Sequence, residues 1–385
     1  MTTISREEFL ELLTPEVQRA IAESVGRDPL QVALDRHIPA ARLVSTQVKY
    51  LSRAAKKLPS YAAAQCIIPS LAFEQSSSEQ CAAHKPLEGD SVLDLTCGLG
   101  VDAWYLSRRF RRVVTVERDP LLAEVARENF RRLGTRNIEV VNAAAEDYVA
   151  SCAEHFDWVY ADPDRRSARG EKLVRLEDCS PNMIALMPRL QQLAKGVCIK
   201  NSPLFDVDEP QRLFGACGVE VVSLADECKE VMIYLDGRPA SITATALGRG
   251  SFSAPDSTSR PPLPAAFHGE HYRYLIVPDV ALQKARLARI ALAGVADLWS
   301  DNGFGFALDA PSEGVLGRVF EIENIEPYDP KRLKRELKGH GVEIFKRDLR
   351  LSIDEVMKRT GCHAGSEIRL AMTKIEDKHW VIRLK

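Results

Sequence analysis

The run Ser91-Val-Leu-Asp-Leu-Thr-Cys-Gly-Leu-Gly100 constrains this chain more than any other stretch. An apolar strand passes through Asp94 into a turn holding two glycines, and residues 101–110 follow with helical spacing. Gly98 and Gly100 let the backbone fold tightly and approach a ligand, while the unpaired N–H groups at the start of the helix face whatever is bound there. The pattern predicts the first strand, turn and helix of a nucleotide-cofactor site.

Downstream, strand and helix patterns alternate. Strands are expected at 113–117, 138–142, 158–161, 197–200, 219–224 and 231–235, and helices at 120–133, 183–193 and 210–216. Alternation of this kind means an α/β, doubly wound, mostly parallel sheet with helices on both faces. Residues 225–230 are too few for a helical crossover, so the last two strands should pair antiparallel.

The flanks read differently. Residues 1–85 are expected to be a helical N-terminal region, with a capping box at Ser5-Arg-Glu-Glu8 and prolines Pro15 and Pro29 opening further helices. The polar run Phe73-Glu-Gln-Ser-Ser-Ser-Glu-Gln80 either caps the next helix through Ser76, Ser77 or Ser78, or forms an elbow over the bound cofactor. The α/β domain is placed at 86–248, and the Ser/Pro/Gly-rich residues 249–267 read as a linker or surface loop. Residues 268–385 read as a small α+β domain, with a helix at 280–293, a basic helix at 330–338, another helix at 352–360 and a terminal hairpin around residues 376–378.

Nine scattered cysteines without a Cys-x-x-Cys pair suit reduced thiols and no structural metal. With no apolar run near the roughly 20 residues needed to span a bilayer, a cytoplasmic protein is expected. Lysine plus arginine (52) nearly balances aspartate plus glutamate (54), so the whole-chain charge points to neither an acidic nor a basic partner.

In an open parallel sheet, ligands bind beyond the carboxyl ends of the strands. The second strand ends in Glu117, placed to accept hydrogen bonds from both hydroxyls of a ribose. Gly98-x-Gly100-x-x-Ala103 also satisfies the dinucleotide fingerprint, so a nicotinamide cofactor stays open. Against it, Asp94 would repel a pyrophosphate but could pair with a cationic amino-acid end. The fourth strand ends in Asp162-Pro163 followed by Asp164, Arg165 and Arg166, the fifth in Lys200-Asn-Ser-Pro203, and the last hairpin turn carries Asp226-Glu-Cys-Lys-Glu230. Asp162 is the candidate base for an acceptor that must lose a proton. Arg165, Arg166 and Lys200 suit a phosphate or another anionic group on a substrate.

With these motifs assembled, the chain resembles the class I S-adenosylmethionine-dependent methyltransferases, and within them a bacterial group with a THUMP-like C-terminal domain. The resemblance rests on Glu74–Glu79, Asp94–Asp102, Glu117, Asp162–Arg166, Lys200–Pro203 and Glu227–Glu230, and in element order on the C-terminal region from about residue 316. It implies a Rossmann-like methyltransferase sheet with an antiparallel last strand. Asp94, Thr96, Gly98 and Gly100 would hold the methionine moiety of S-adenosyl-L-methionine, with Asp102 in the same motif. Glu117 would hold the ribose, Gln75 and Ser77 would close over the cofactor, and Asp162 and Pro163 would border the acceptor pocket. The third strand lacks an acid where the adenine amino group is usually met, so either Glu146 or Asp147 substitutes or the contact is missing. Asp-Arg-Arg after Pro163 differs from the proline and aromatic of base-amino methylating enzymes. THUMP domains in relatives bind RNA, and the C-terminal lysines and arginines outnumber the acids, so an RNA substrate is expected. The alternatives are an NAD-dependent oxidoreductase and a non-catalytic protein that binds S-adenosylmethionine and RNA.

Overall fold

The computed structural model describes residues 4–164, 176–312 and 314–385. The chain divides into two compact units, Met1–Cys217 with Met232–Arg238, and Gly218–Val231 with Pro239–Lys385.

The first unit begins with helices whose starts are written locally. Ser5 and Glu8 close a reciprocal capping box on Arg6–Leu12, and Pro15 and Pro29 stand at the starts of Pro15–Ser24 and Pro29–Leu34, behind the caps Thr14 and Asp28. The longer helix Ala41–Lys57 buries Val44, Val48, Leu51 and Ala54, one stripe at helical spacing. Next come strands β1 (Gly89–Asp94), β2 (Phe110–Glu117), β3 (Ile138–Asn142), β4 (Phe156–Ala161) and β5 (Ala194–Asn201). Their order is β3-β2-β1-β4-β5, all parallel, with the C-terminal half of β7 (Glu227–Leu235) beside β5. The chain leaves β1 for β2 on one side, and the other neighbour of β1 is β4. The crevice beyond these two strand ends is therefore the switch point.

In the second unit the N-terminal half of β7 neighbours β6 (Gly218–Leu224). Only Ala225 and Asp226 join them, with φ of +52° and +61°, the geometry of a primed two-residue hairpin turn. The reversed strand expected from residue 231 thus starts at Glu227. β6 then pairs with β8 (Ser241–Ala246), and β8 with β9 (Gly250–Pro255). The stretch read as a linker therefore opens with an edge strand. Its exposed, serine-rich pattern looks like a loop because only Ala254 is buried.

A second sheet contains β10 (Tyr274–Pro278), β11 (Gly305–Ala307), β12 (Gly317–Pro327), β13 (Gly341–Lys346), β14 (His363–Ala364), β15 (Ile368–Ile375) and β16 (Lys378–Leu384), in the order β11-β10-β12-β16-β15-β13-β14. Helices Pro330–Leu337 and Ile353–Thr360 contribute Leu333, Leu337 and Val356 to a core with Val342, Leu370, Met372 and Val381. Another core gathers Leu275, Phe304, Phe306 and Ile382 with Phe267, Trp299 and Trp380. Glu376 and Asp377, at positive φ, make the terminal hairpin turn. The helix expected at 280–293 is two short ones, Val280–Lys284 and Ala288–Ala291, because Arg286 turns left-handed at φ +57° between them. Among the described residues no helix is long and apolar enough to cross a membrane.

Candidate active site

The turn after β1 uses its two glycines for different ends. Gly98 and Gly100 both have positive φ, +56° and +85°. A Cβ on Gly100 would lie 2.6 Å from the Phe130 ring, whereas one on Gly98 would meet nothing within 4 Å. Gly100 therefore lets the helix Val101–Leu106 pack closely, and the backbone at Gly98 presents open space.

Asp94 is fully buried, and its carboxylate builds the turn. It accepts hydrogen bonds from the Thr96 amide at 2.9 Å, the Thr96 hydroxyl at 3.3 Å and the Thr115 hydroxyl at 2.7 Å. Burial pushes its pKa up to about 7 against the pull of these hydrogen bonds. Thr96 Oγ1 also accepts the amide of Asp162 at 2.7 Å, so the ends of β1 and β4 are joined through one hydroxyl. The Cys97 amide donates to the Val116 carbonyl, anchoring the turn to β2.

Glu117, at the end of β2, is held from two sides. Oε2 accepts the Gly98 amide and Oε1 the Asp119 amide, both at 2.9 Å. Burial raises its pKa, and the two amides act the other way. The residue following β3, Ala143, donates its amide to the Glu117 carbonyl, as does the side chain of Asn142.

The serine elbow performs two tasks, divided among neighbours. Ser78 caps the helix Glu79–His84, accepting the Cys81 amide. Ser77 is buried instead, donating to Asp102 Oδ2 at 2.7 Å and accepting from Lys200 Nζ at 3.0 Å. Glu79 anchors the elbow by accepting both the amide and hydroxyl of Ser60 and the hydroxyl of Tyr105, each at 2.8 Å. Lys200 also pairs with Asp162 Oδ2. The cation expected to meet a substrate phosphate thus already has a carboxylate partner.

Sequence reasoning missed Lys85. Its ammonium lies 2.6 Å from Asp102 Oδ1, with its side chain 1% exposed. Burial would push the Asp102 carboxyl up, but the charges of Lys85 and Lys200 outweigh it and hold the group at about 2. The only sequence signal was its place between Ala82-Ala83 and Leu87, an apolar setting for a lysine.

The remaining expected residues scatter. Asp162 is half-buried and Pro163 buried at the β4 end. Gln75 is exposed at the end of the helix Ser70–Gln75, and Glu146 and Asp147 are exposed in the first turn of Ala145–Ser151. Asp226 of the hairpin turn pairs with Arg249 within the second unit. Arg165 and Arg166 lie outside the described residues.

Residues 92–166 match the methyltransferase domain family, and residues 317–385 match the THUMP domain-like family. An S-adenosylmethionine-dependent methyltransferase of Mycobacterium tuberculosis, itself uncharacterized, is 25% identical over 343 residues, 84% of this chain and 90% of that protein. The 23S rRNA (uracil(1939)-C(5))-methyltransferase of Klebsiella pneumoniae is 39% identical over 103 residues, 26% of this chain and 22% of that one. A methyltransferase-assigned protein of Porphyromonas gingivalis W83 shares the fold, with a TM-score of 0.81 across 100% of this chain and 99% of its own at 24% identity. A parallel sheet with its switch point at β1, a reversed strand beside β5, and a glycine turn tied to an acidic strand end join these relatives in one assignment: the chain belongs to the class I S-adenosylmethionine-dependent methyltransferases and carries a THUMP-like C-terminal domain.

Proposed function

We propose that this methyltransferase acts on RNA, with the acceptor at the ends of β4 and β5. The observation that carries the site assignment is the Thr96 hydroxyl, which bonds the Asp94 carboxylate and the Asp162 amide together. It sets the half-buried Asp162 beside a turn that is open above Gly98.

The residues present fit the cofactor. Glu117 is a buried carboxylate whose two backbone partners leave lone pairs for the ribose hydroxyls. The open face of Gly98 admits the methionine end, and Thr96 and Gly100 shape the wall. Asp94, whose carboxylate is engaged within the turn, supports that wall from beneath. S-adenosylmethionine, when bound, supplies an electrophilic methyl group on a sulfonium. Methyl transfer is an in-line displacement, so the protein's task is to orient the acceptor and exclude water. Asp162 would take the acceptor's proton where one must leave, and Pro163 would border the pocket.

RNA is favoured by the family of the C-terminal module, by the ribosomal RNA methyltransferase among the relatives, and by its exposed cations. Lys331, Lys334, Arg335 and Lys338 are exposed on or beside the helix whose other face buries Leu333 and Leu337, and Lys358 and Arg359 are exposed on the next helix. The test is transfer of labelled methyl groups into total RNA from cells lacking the protein. Label entering RNA only with wild-type protein supports the reading, and label confined to protein or small molecules overturns it.

A further inference from the structure

A line of alternating charges runs from the core of the first unit to the rim of the site: Lys85, Asp102, the Ser77 hydroxyl, Lys200 and Asp162. Exposure is lowest at its start and highest at its end. The side chains of Lys85, Asp102, Lys200 and Asp162 are 1%, 13%, 11% and 31% exposed. Only the last carboxylate is open enough to meet a substrate.

The line has a fixed polarity. A serine hydroxyl carries one proton, and Ser77 gives it to Asp102, which leaves its lone pairs toward the Lys200 ammonium. Asp102 keeps its charge because Lys85 faces it, and the Lys85 ammonium, closed off from solvent, also donates to the Cys81 carbonyl at 3.4 Å and lies 5.5 Å from the centre of the Tyr160 ring. A buried ammonium is costly unless paired, so Lys85 and Asp102 hold each other in place.

We infer that Lys85 is a positioning residue for the methyl acceptor. It fixes Asp102, Asp102 orients the Ser77 hydroxyl, and Ser77 together with Asp162 fixes the Lys200 ammonium, which in turn aims the Asp162 carboxylate. The inference rests on the reading of Asp162 as the acceptor-side group. It adds that the serine elbow, on the cofactor side, and the acceptor carboxylate share one line of hydrogen bonds.

The test uses the full chain labelled with ¹⁵N-lysine, Ser77→Ala, and the double variant Lys85→Met/Asp102→Asn, which removes both buried charges together. In wild type the Lys200 ammonium should give a slowly exchanging signal. Ser77→Ala should shift or broaden it while the Lys85 signal stays. The double variant, shown to be folded by circular dichroism and assayed at saturating S-adenosylmethionine, should transfer methyl groups to total RNA with kcat at least about tenfold lower than wild type. A purely structural Lys85 predicts wild-type kcat in that variant. That result, or a Lys200 signal indifferent to Ser77→Ala, overturns the inference. If wild type labels no RNA but the Lys200 signal responds as stated, the acceptor reading fails and the line of hydrogen bonds stands.

Discussion

The carboxylate of Glu117 reaches from the end of β2 to the glycine turn and accepts the Gly98 amide at 2.9 Å. Its position is therefore set by the same turn that approaches the cofactor. Glu117→Gln would put an N–H donor against one of the two backbone donors now bonded to the carboxylate, and would remove the charge that strengthens bonds to ribose hydroxyls. Such charge-assisted bonds are worth about 1.5–3 kcal/mol each. Calorimetric titration should show affinity for S-adenosylmethionine falling by roughly 10- to 100-fold. Unchanged affinity would remove the ribose role.

The two glycines of the turn should fail in different ways when replaced. Gly100→Ala drives a methyl group into Phe130 as well as asking alanine to adopt φ +85°, so the main loss is in folding, about 2–4 kcal/mol by chemical denaturation. Gly98→Ala meets no protein atom and pays only the left-handed conformation, about 1–2 kcal/mol. Its methyl group stands in the open space instead, so cofactor affinity should fall more than stability does. Equal cofactor affinity in Gly98→Ala and wild type would place the ligand elsewhere.

Asp94 makes stability depend on pH with an unusual sign. Its folded pKa of about 7 lies above the ordinary 3.8, so the native state holds a proton that the unfolded chain releases between those values. Stability from this group is therefore present below about pH 4 and lost as pH rises toward 7, by a few kcal/mol at about 1.4 per unit. Asp94→Asn keeps an acceptor for the Thr96 amide, and the Thr115 hydroxyl can rotate to accept from the new amide. Denaturation at pH 5.5 and pH 8 should show the variant gaining stability relative to wild type at the higher pH. An equal difference at both values would mean that Asp94 does not titrate in this range.

Much of the fold was legible because its signals are local. The Ser5 capping box, the prolines at helix starts and the buried strands β1, β2 and β4 each depend on neighbours in sequence. Glu117 and Gly98 were readable as a pair because a strand end and a glycine turn have a fixed spacing in this fold. Ser77 shows where such reading stops. Its partners Asp102 and Lys200 lie 25 and 123 residues away, and nothing in a serine run tells which hydroxyl caps a helix and which turns inward. Lys85 was hidden because lysine is ordinarily solvated and its burial depends on a distant aspartate. Arg286, left-handed in an otherwise helical pattern, was invisible for the same reason: only tertiary packing selects that backbone conformation over a continuous helix.

The C-terminal cations give the RNA reading its sharpest quantitative test. Arg332 is bound to Glu326 and Glu336, and Arg347 is half-buried with its pKa lowered by desolvation, so neither is available as a simple phosphate contact. Lys331, Lys334, Arg335 and Lys338 are exposed on or beside one helix, and these should carry the contacts with the backbone. Each phosphate neutralised adds roughly 0.7–0.9 to the slope of log affinity against log salt. Replacing Lys334 and Lys338 with glutamine should weaken binding of the full chain to structured RNA evenly across sequences and lower that slope by about 1.4–1.8. Lys334 and Lys338 are exposed while their neighbours Leu333 and Leu337 are buried, so the helix and its core should survive, which circular dichroism can check. A slope identical to that of wild type would move the RNA contact off this helix.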